Sequence, residues 1–162
     1  MLFYHRNENY TLTIFALYKG AMIMTNCIFC KIINNEIPSA KVYEDEKVLA
    51  FLDMSQTTPG HTLVIPKEHV QDVFVMDEST AADLFARVPK IARAIEKAFP
   101  EIKGMNIVNN NREFAYQSVF HSHVHLIPRF EQDNFAINFE NNQTSYSQEE
   151  YADRANKISQ NI

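Results

Sequence analysis

Five of the six histidines fall into two groups along the chain, and one of these groups has a spacing suited to chemistry. His121, His123 and His125 alternate with other residues, while His61 and His69 lie upstream. If the alternating segment is a β-strand, its three imidazoles point to the same side. Chance alternation on an exposed strand is the other interpretation, and the flanking apolar residues argue against it. Imidazoles sharing one face suit metal binding or phosphate chemistry.

Two uses of these imidazoles are open. Three neutral histidines can hold a catalytic zinc ion. On a straight strand, however, three alternate positions extend over roughly 13 Å at ~3.3 Å per residue. Since zinc–nitrogen bonds are only ~2 Å long, the three rings do not converge comfortably on one ion. A division of labour fits better, in which one end of the triad serves a metal and the centre does the chemistry.

The only two cysteines, Cys27 and Cys30, stand two residues apart in a Cys-Ile-Phe-Cys segment. An extracellular disulfide framework would need more cysteines. The remaining interpretations are a redox motif, half of a zinc site that borrows histidines, or two reduced cysteines without metal. The redox interpretation leaves the clustered histidines without a purpose.

The hydrophobic pattern predicts the strands that must position these residues. Alternating or β-branched runs indicate strands at 41–44, 48–52, 61–65, 105–109 and 118–127. The first two flank a short turn and form a hairpin. A single helical stretch interrupts the series between the third and fourth strands. This order predicts an α+β fold built on a mostly antiparallel sheet.

Two helices complete the predicted elements. Apolar residues spaced by three and four predict an amphipathic helix over 79–99, with Ser79 as its N-cap and Pro89 kinking or splitting it. Near the C-terminus, Ser147 and Glu150 predict a capping box that opens a second helix.

Length and charge narrow the class of protein. With 162 residues, 46% of them hydrophobic, the chain predicts one domain with a compact core. The net charge of −5 argues against nucleic acid as a partner. The apolar run at 12–18 is shorter than the ~20 residues of a membrane span and makes a poor export signal. We therefore expect a cytoplasmic protein without a membrane partner, with residues 1–24 as an extension outside the working domain.

The segment from Gln117 to Ile127 resembles the signature of the histidine triad (HIT) family, which is His-x-His-x-His followed by apolar residues. Further segments in the same order resemble the bacterial Hint-like branch of that family, namely Cys27–Ile33, Ile37–Asp45, Phe51–Asp53 and Pro59–His69. The resemblance implies a HIT-like fold of about five strands, one long helix and a C-terminal helix. It places the HIT domain at 25–131 and a helical tail at 132–162.

The same resemblance implies a nucleotide hydrolase or transferase that acts at the α-phosphate of nucleoside phosphoramidates or dinucleoside polyphosphates. His123 is the expected nucleophile, because a neutral imidazole with one free lone pair can form a nucleotidyl-histidine intermediate. His125 would contact a phosphate oxygen or protonate the leaving amine. Ser118, Gln117 and His61 would contact the phosphate or the leaving group. The alternative is a nucleotide- or partner-binding protein with weak or vestigial catalysis.

For the nucleoside, which the resemblance implies to carry a purine, it also implies three binding residues. Asp53 would accept the ribose hydroxyls, Met54 would pack on the base, and Asn110 would lie beside the phosphate. Two positions depart from the family pattern. Tyr116 stands where glycine is usual, so the loop over the phosphate is bulkier, and Ser122 replaces an apolar residue, which weakens packing behind the triad.

The resemblance also implies the ligands of a zinc ion. Zinc-bearing members add a histidine from the Pro-Lys-x-His segment and the first histidine of the triad, so His69 and His121 would join Cys27 and Cys30. Four protein ligands close a tetrahedral site, which makes the zinc structural. His121 would thus belong to both the triad and the metal site. The resemblance further implies a homodimer.

Overall fold

The structure is a computed structural model that describes residues 26–162. The predicted N-terminal extension, 1–24, lies outside the described residues. Within them, the helices and strands follow one another in the order α1 (Ile28–Ile33), β1 (Lys41–Glu44), β2 (Val48–Leu52), β3 (Thr62–Pro66), α2 (Glu78–Ala98), β4 (Gly104–Asn109), β5 (Val124–Arg129) and α3 (Gln148–Ser159). A short 3₁₀ turn, Glu113–Ala115, separates β4 from β5.

The five strands form one sheet in the order β1-β2-β3-β5-β4, and every neighbouring pair is antiparallel. The predicted α+β fold with a mostly antiparallel sheet is therefore confirmed. The β1–β2 hairpin closes through Asp45, whose Oδ1 accepts the backbone N–H groups of Lys47 at 2.8 Å and Val48 at 2.7 Å. The order places β3 beside β5, so the two predicted histidine groups meet in space.

Both faces of the central strands are buried. Successive side chains of a strand point to opposite faces, so Val48 and Ala50 pack on α2, whereas Leu49 and Phe51 pack towards Phe29 of α1. The apolar stripe of α2 completes the first core with four side chains, Leu84, Val88, Ile91 and Ile95. A sheet held from both sides gives the histidine-bearing strands a rigid frame.

The long helix differs from its prediction at its start and at its proline. Asp77 is the N-cap, and its carboxylate accepts the backbone N–H of Thr80 at 2.9 Å, so Ser79 as N-cap was wrong. An ionised carboxylate stabilises a helix N-terminus by its charge as well as by its hydrogen bond. Pro89 lies inside one continuous helix and does not split it. Pro89 lies on the exposed side of the helix, where water can donate a hydrogen bond to the carbonyl that the missing N–H leaves without a partner.

The predicted strand over 118–127 was wrong in its first half. Strand β5 begins only at Val124, which pairs with Val64 and Asn109. Before it the backbone turns tightly, since the N–H of His121 donates to the carbonyl of Val119 at 2.8 Å. Strand alternation therefore does not align the three imidazoles, and only His125 lies on the strand.

The C-terminal region is attached to the sheet through a salt bridge. Arg129 at the end of β5 donates to both carboxylate oxygens of Asp133, each at 2.8 Å. Beyond it, α3 begins with the predicted capping box of Ser147 and Glu150, which is confirmed, and all its residues are exposed. Within 26–162 we find no helix of the length and apolarity that crossing a bilayer demands.

Candidate active site

His123 stands immediately before β5, and its ring is fixed by its neighbours. Its Nδ1–H donates to the backbone carbonyl of His121 at 2.7 Å, which leaves the lone pair on Nε2. The ring of Phe29 packs edge-on against it with centroids 5.2 Å apart. The side chain of Asn109 donates to the His123 carbonyl at 2.8 Å. Ring and backbone are therefore both held, with Nε2 as the nitrogen left for chemistry.

The surroundings of His123 keep its imidazole neutral. Burial lowers the pKa of His123, and the hydrogen bond to the His121 carbonyl only partly opposes that effect. Burial and the neighbouring His123 and His61 lower the pKa of His125 to about 4. Both rings are neutral near pH 7, so a lone pair is present on each.

His61 and His125 form a close pair across β3 and β5. His61 Nε2 lies 3.0 Å from His125 Nδ1, and His61 is only 3% exposed. His61 Nδ1 is buried without a hydrogen-bond partner among the described residues. A lone pair there costs less than a stranded N–H, so the proton belongs on His61 Nε2. His61 therefore donates to His125, which fixes the proton of His125 on its Nε2.

That arrangement changes the role expected for His61. Its ring is buried against His125 and does not lie open to a phosphate. It is placed to position His125, because its hydrogen bond determines which nitrogen of His125 carries a proton.

Asp53 follows β2 and faces the histidine pair. Its Oδ1 accepts the backbone N–H of Ser55 at 2.7 Å, and its Oδ2 lies 3.7 Å from His61 Nε2 and 3.8 Å from His125 Nδ1. Burial alone would raise the pKa of Asp53, but the hydrogen bonds that it accepts from Ser55 lower it overall, with a further lowering from the charge of His61 and His125 in their protonated forms. The site therefore contains a carboxylate whose Oδ2 accepts no backbone hydrogen bond among the described residues.

The loop that joins β2 to β3 is held by Gln56. Its amide donates to the carbonyls of Asp53 at 2.7 Å and His61 at 2.8 Å, and its Oε1 accepts the N–H of Gly60 at 3.0 Å. Gly60 has φ of +83°, a conformation that favours glycine, and a Cβ there would lie 2.7 Å from the ring of Phe99. Gln56 and Gly60 thus fix the loop that sets the distance between Asp53 and His61.

The loop before the triad is rigid at Gln117 and open at Ser118. The Gln117 side chain accepts the N–H of Arg112 at 2.6 Å and donates to the carbonyls of Gln71 at 2.6 Å and Val119 at 3.1 Å. It is buried and holds the loop, so it is not placed to donate to a ligand as the sequence suggested. Ser118 is exposed.

Tyr116 departs from the pattern in a way that the structure makes concrete. Its φ is +64° and its ψ +25°, the left-handed region in which glycine is favoured. The side chain is 86% exposed. A tyrosine here carries backbone strain that a glycine would not, on a loop two residues from Ser118.

The two remaining nucleotide-binding candidates are less closely tied to this group. Met54 is fully exposed, and Asn110 is half-buried at the end of β4. The neighbouring Asn109 makes the contact with His123, and sequence reasoning missed it. Three consecutive asparagines stand here, and only the register of β4 with β5 distinguishes them. Phe29 was also missed, although it lies inside the Cys-Ile-Phe-Cys segment.

A second group of side chains joins α1 to the triad. The ligand atoms of Cys27, Cys30, His69 and His121 all lie within 4.8 Å of one another. The separations from sulfur to Nδ1 are 3.2 Å for Cys30 and His69, 3.5 Å for Cys27 and His121, and 3.6 Å for Cys30 and His121. Tetrahedral zinc, with bonds of ~2.3 Å to sulfur and ~2.0 Å to nitrogen, sets sulfur–nitrogen separations of ~3.5 Å.

The chemistry of these donors also fits a zinc ion. His121 Nε2–H donates to the carbonyl of Pro66 at 2.8 Å, which leaves the lone pair of Nδ1 facing the sulfurs. Burial, together with the hydrogen bond to Cys27, raises the pKa of the Cys30 thiol to about 12. A bound metal would displace that proton. The four residues can hold a structural zinc.

Sequence comparison places this arrangement in a known group. The sequence model of the HIT domain matches residues 34–132. The protein named "Protein hit" of Bacillus subtilis is 51% identical over 138 residues, which cover 85% of this chain and 94% of that protein. Adenosine 5'-monophosphoramidase hnt1 of Schizosaccharomyces pombe is 42% identical over 104 residues, covering 64% of this chain and 74% of that protein.

Solved structures of HIT proteins superpose on this chain. A HIT family protein from Bacillus anthracis superposes with a TM-score of 0.82 at 51% identity, covering 85% of this chain and 97% of that one. A zinc-bound histidine triad family protein from Mycobacterium smegmatis has a TM-score of 0.66 at 38% identity, covering 72% of this chain and 84% of that one. This chain belongs to the HIT family, as its sequence signature predicted, and its five-stranded antiparallel sheet with flanking helices is the HIT fold.

Proposed function

We propose that this protein is a nucleotide hydrolase that cleaves the α-phosphate bond of nucleoside phosphoramidates or dinucleoside polyphosphates through a nucleotidyl-His123 intermediate. The observation that carries the proposal is the hydrogen bond from His123 Nδ1 to the His121 carbonyl at 2.7 Å, which leaves Nε2 as a nucleophile. The phosphoramidase name of the S. pombe relative supports the substrate class.

In the first step, Nε2 of His123 attacks the α-phosphorus, and the bond from phosphorus to the leaving amine or phosphate breaks. The leaving group departs with the electron pair of that bond and takes its proton from water. His125 is neutral, so its Nε2–H donates a hydrogen bond to an oxygen of the phosphoryl group and keeps its proton, while His61 holds the other nitrogen of His125 as an acceptor at 3.0 Å. The positive charge that develops on His123 is stabilised by the His121 carbonyl, which accepts its Nδ1–H.

In the second step, water attacks the same phosphorus and the bond from phosphorus to His123 breaks. The products are a nucleoside monophosphate and the free imidazole. The attacking water releases its proton to solvent, and His123 returns to its neutral starting state. The exposed hydroxyl of Ser118 serves as a donor to the leaving group, and Gln117 holds the loop that presents it.

The nucleoside is assigned to the side of Asp53. Its Oδ2 would accept the ribose hydroxyls, since Oδ1 is occupied by the N–H of Ser55 at 2.7 Å. Met54, fully exposed beside it, offers an apolar surface for a purine base, and Asn110 lies on the phosphate side.

A structural zinc ion on Cys27, Cys30, His69 and His121 belongs to the same proposal, with the zinc-bound relative from M. smegmatis in support. Such an ion would attach α1, and with it Phe29, to the segment that bears His123. We also propose a homodimer, because β4 is an edge strand whose Ile107 is 55% exposed. The domain boundaries at 25–131 and the cytoplasmic location remain predictions.

Hydrolysis of adenosine 5'-phosphoramidate by the purified protein tests the proposal. We expect His123→Ala to lower kcat on the order of 10⁴-fold while the protein still folds and keeps its zinc. His5→Ala, a histidine outside both groups, is the matched control and should keep full activity. Unchanged turnover in His123→Ala would reject the nucleophile. Nucleotide-dependent stabilisation of the wild-type protein without any cleavage would favour the alternative, a binding protein with vestigial catalysis.

A further inference from the structure

Three potential metal ligands outside the cysteine group converge at one end of the sheet. Asp53 follows β2, His61 precedes β3, and His125 lies on β5. His61 Nε2 and His125 Nδ1 are 3.0 Å apart, and Asp53 Oδ2 is 3.7 Å from the first and 3.8 Å from the second. A triangle with these sides has its centre about 2 Å from every corner, the length of zinc bonds to imidazole and carboxylate.

We propose that Asp53, His61 and His125 form a second cation site, separate from the Cys2His2 group, that takes a borderline divalent ion such as Zn²⁺. Two imidazole nitrogens and one carboxylate oxygen select zinc over Mg²⁺, which prefers oxygen ligands. Three protein ligands leave at least one coordination position for water or a phosphate oxygen. Gln56 fixes the backbone that carries two of the three ligands, because its amide donates to the carbonyls of both Asp53 and His61.

Binding requires one proton to move. Both His61 Nε2 and His125 Nδ1 must present lone pairs to the ion, so the proton that lies between them has to leave. His61 then carries its proton on Nδ1, which is buried without an acceptor among the described residues. Histidine ligands normally donate this second N–H to an acceptor, and losing such a partner costs ~10–100-fold in affinity. The second site is therefore weaker than the Cys2His2 site and exchanges its ion reversibly.

The consequence for activity rests on the proposed function. Asp53 Oδ2 is the acceptor assigned to the ribose, and His125 Nε2–H is the assigned hydrogen-bond donor to the phosphate. An ion bound to Asp53 Oδ2 and His125 Nδ1 occupies the ribose acceptor. It also occupies the lone pair through which His61 orients the ring of His125. The cation and the nucleotide should therefore exclude each other, and micromolar zinc should inhibit hydrolysis in competition with substrate.

Cobalt titration tests the site without any substrate. Protein loaded with one zinc per chain is titrated with Co²⁺, whose visible absorption reports its ligands. We expect one further equivalent to bind with the spectrum of nitrogen and oxygen ligands and without thiolate charge transfer. The signal should disappear in Asp53→Asn and in His61→Phe, and persist in Asp153→Asn, an exposed carboxylate on α3. Asp53→Asn retains the shape of the side chain, so it tests the site even if His61→Phe fails to fold.

The outcomes separate the two proposals. Absence of a second equivalent, or its persistence in both variants, overturns the second site whatever the protein hydrolyses. Thiolate charge transfer would mean that Co²⁺ had entered the cysteine group. If that were the only absorption seen, without a signal from nitrogen and oxygen ligands, the second site would also be overturned. In the kinetic arm, zinc should raise KM at constant kcat, whereas inhibition insensitive to substrate concentration would contradict exclusion. A protein that binds the second ion but never hydrolyses nucleotides refutes only the proposed function.

Discussion

Gly60→Ala is the substitution for which the structure predicts the largest effect from one added methyl group. Gly60 has φ of +83°, and a Cβ there would lie 2.7 Å from Cε2 and 3.1 Å from Cδ2 of Phe99. A non-glycine residue in the left-handed region costs roughly 1–2 kcal/mol. Overpacking a buried contact adds ~1–3 kcal/mol. We therefore expect the free energy of unfolding to fall by about 2–5 kcal/mol.

The chain contains its own control for this measurement. Gly104 is exposed at the start of β4, and a Cβ there meets nothing within 4 Å. Gly104→Ala should change stability by less than ~1 kcal/mol. Urea denaturation of both variants gives the comparison, and the melting temperature of Gly60→Ala should fall by roughly 10 °C. Equal stability of the two variants would contradict the steric and conformational cost assigned to Gly60.

The same substitution connects stability to the site. The N–H of Gly60 donates to Gln56, whose amide holds the carbonyls of Asp53 and His61. A displaced loop should move His61 away from His125, so the hydrolysis rate should fall in the fraction of protein that remains folded. The double variant Gly60→Ala/Phe99→Leu should recover part of the stability, because it relieves the steric contact but leaves the backbone strain.

Three further perturbations test separate features. Tyr116→Gly should raise the free energy of unfolding by about 1 kcal/mol, because it relieves strain at a φ of +64°; a loss of stability in denaturation would contradict this. Ser122→Ala should stabilise the protein by ~1 kcal/mol, since its hydroxyl is buried without a partner among the described residues, and unchanged melting would count against it. Removing zinc with a chelator should lower the melting temperature by roughly 5–10 °C, which is the shift expected for an ion present at ~100 times its Kd. Cys30→Ala should melt at that lower temperature with or without chelator.

Much of the fold was predictable, because its signals are local. The apolar periods of the strands and of α2 are strong, and the Ser147–Glu150 capping box is a short motif that the structure confirms. Errors arose where two local signals compete. Asp77 and Ser79 are both good N-caps, and only the extended backbone of Asp77 decides between them. Pro89 was expected to kink or split the helix, and its exposed position allows the helix to continue without a break.

The site was predictable in composition but not in geometry. The spacing of His121, His123 and His125 suggested one aligned face, whereas the structure bends the backbone before β5 and directs His121 to the cysteine group. No sequence pattern reports that the Gln117 amide is fully occupied or that His61 is buried against His125. Those facts depend on contacts between distant segments, such as the meeting of β3 and β5.

His123 can be tested as the nucleophile by stopping the reaction midway and finding where the nucleotide is attached. Wild-type protein is mixed with a phosphoramidate or dinucleotide substrate labelled in the nucleoside, quenched within one turnover, and digested under conditions that preserve phosphorus–nitrogen bonds. Mass spectrometry should recover the nucleotide on His123 and on no other side chain. Label on His121, on His125, or on no residue at all while hydrolysis proceeds would contradict the proposed mechanism.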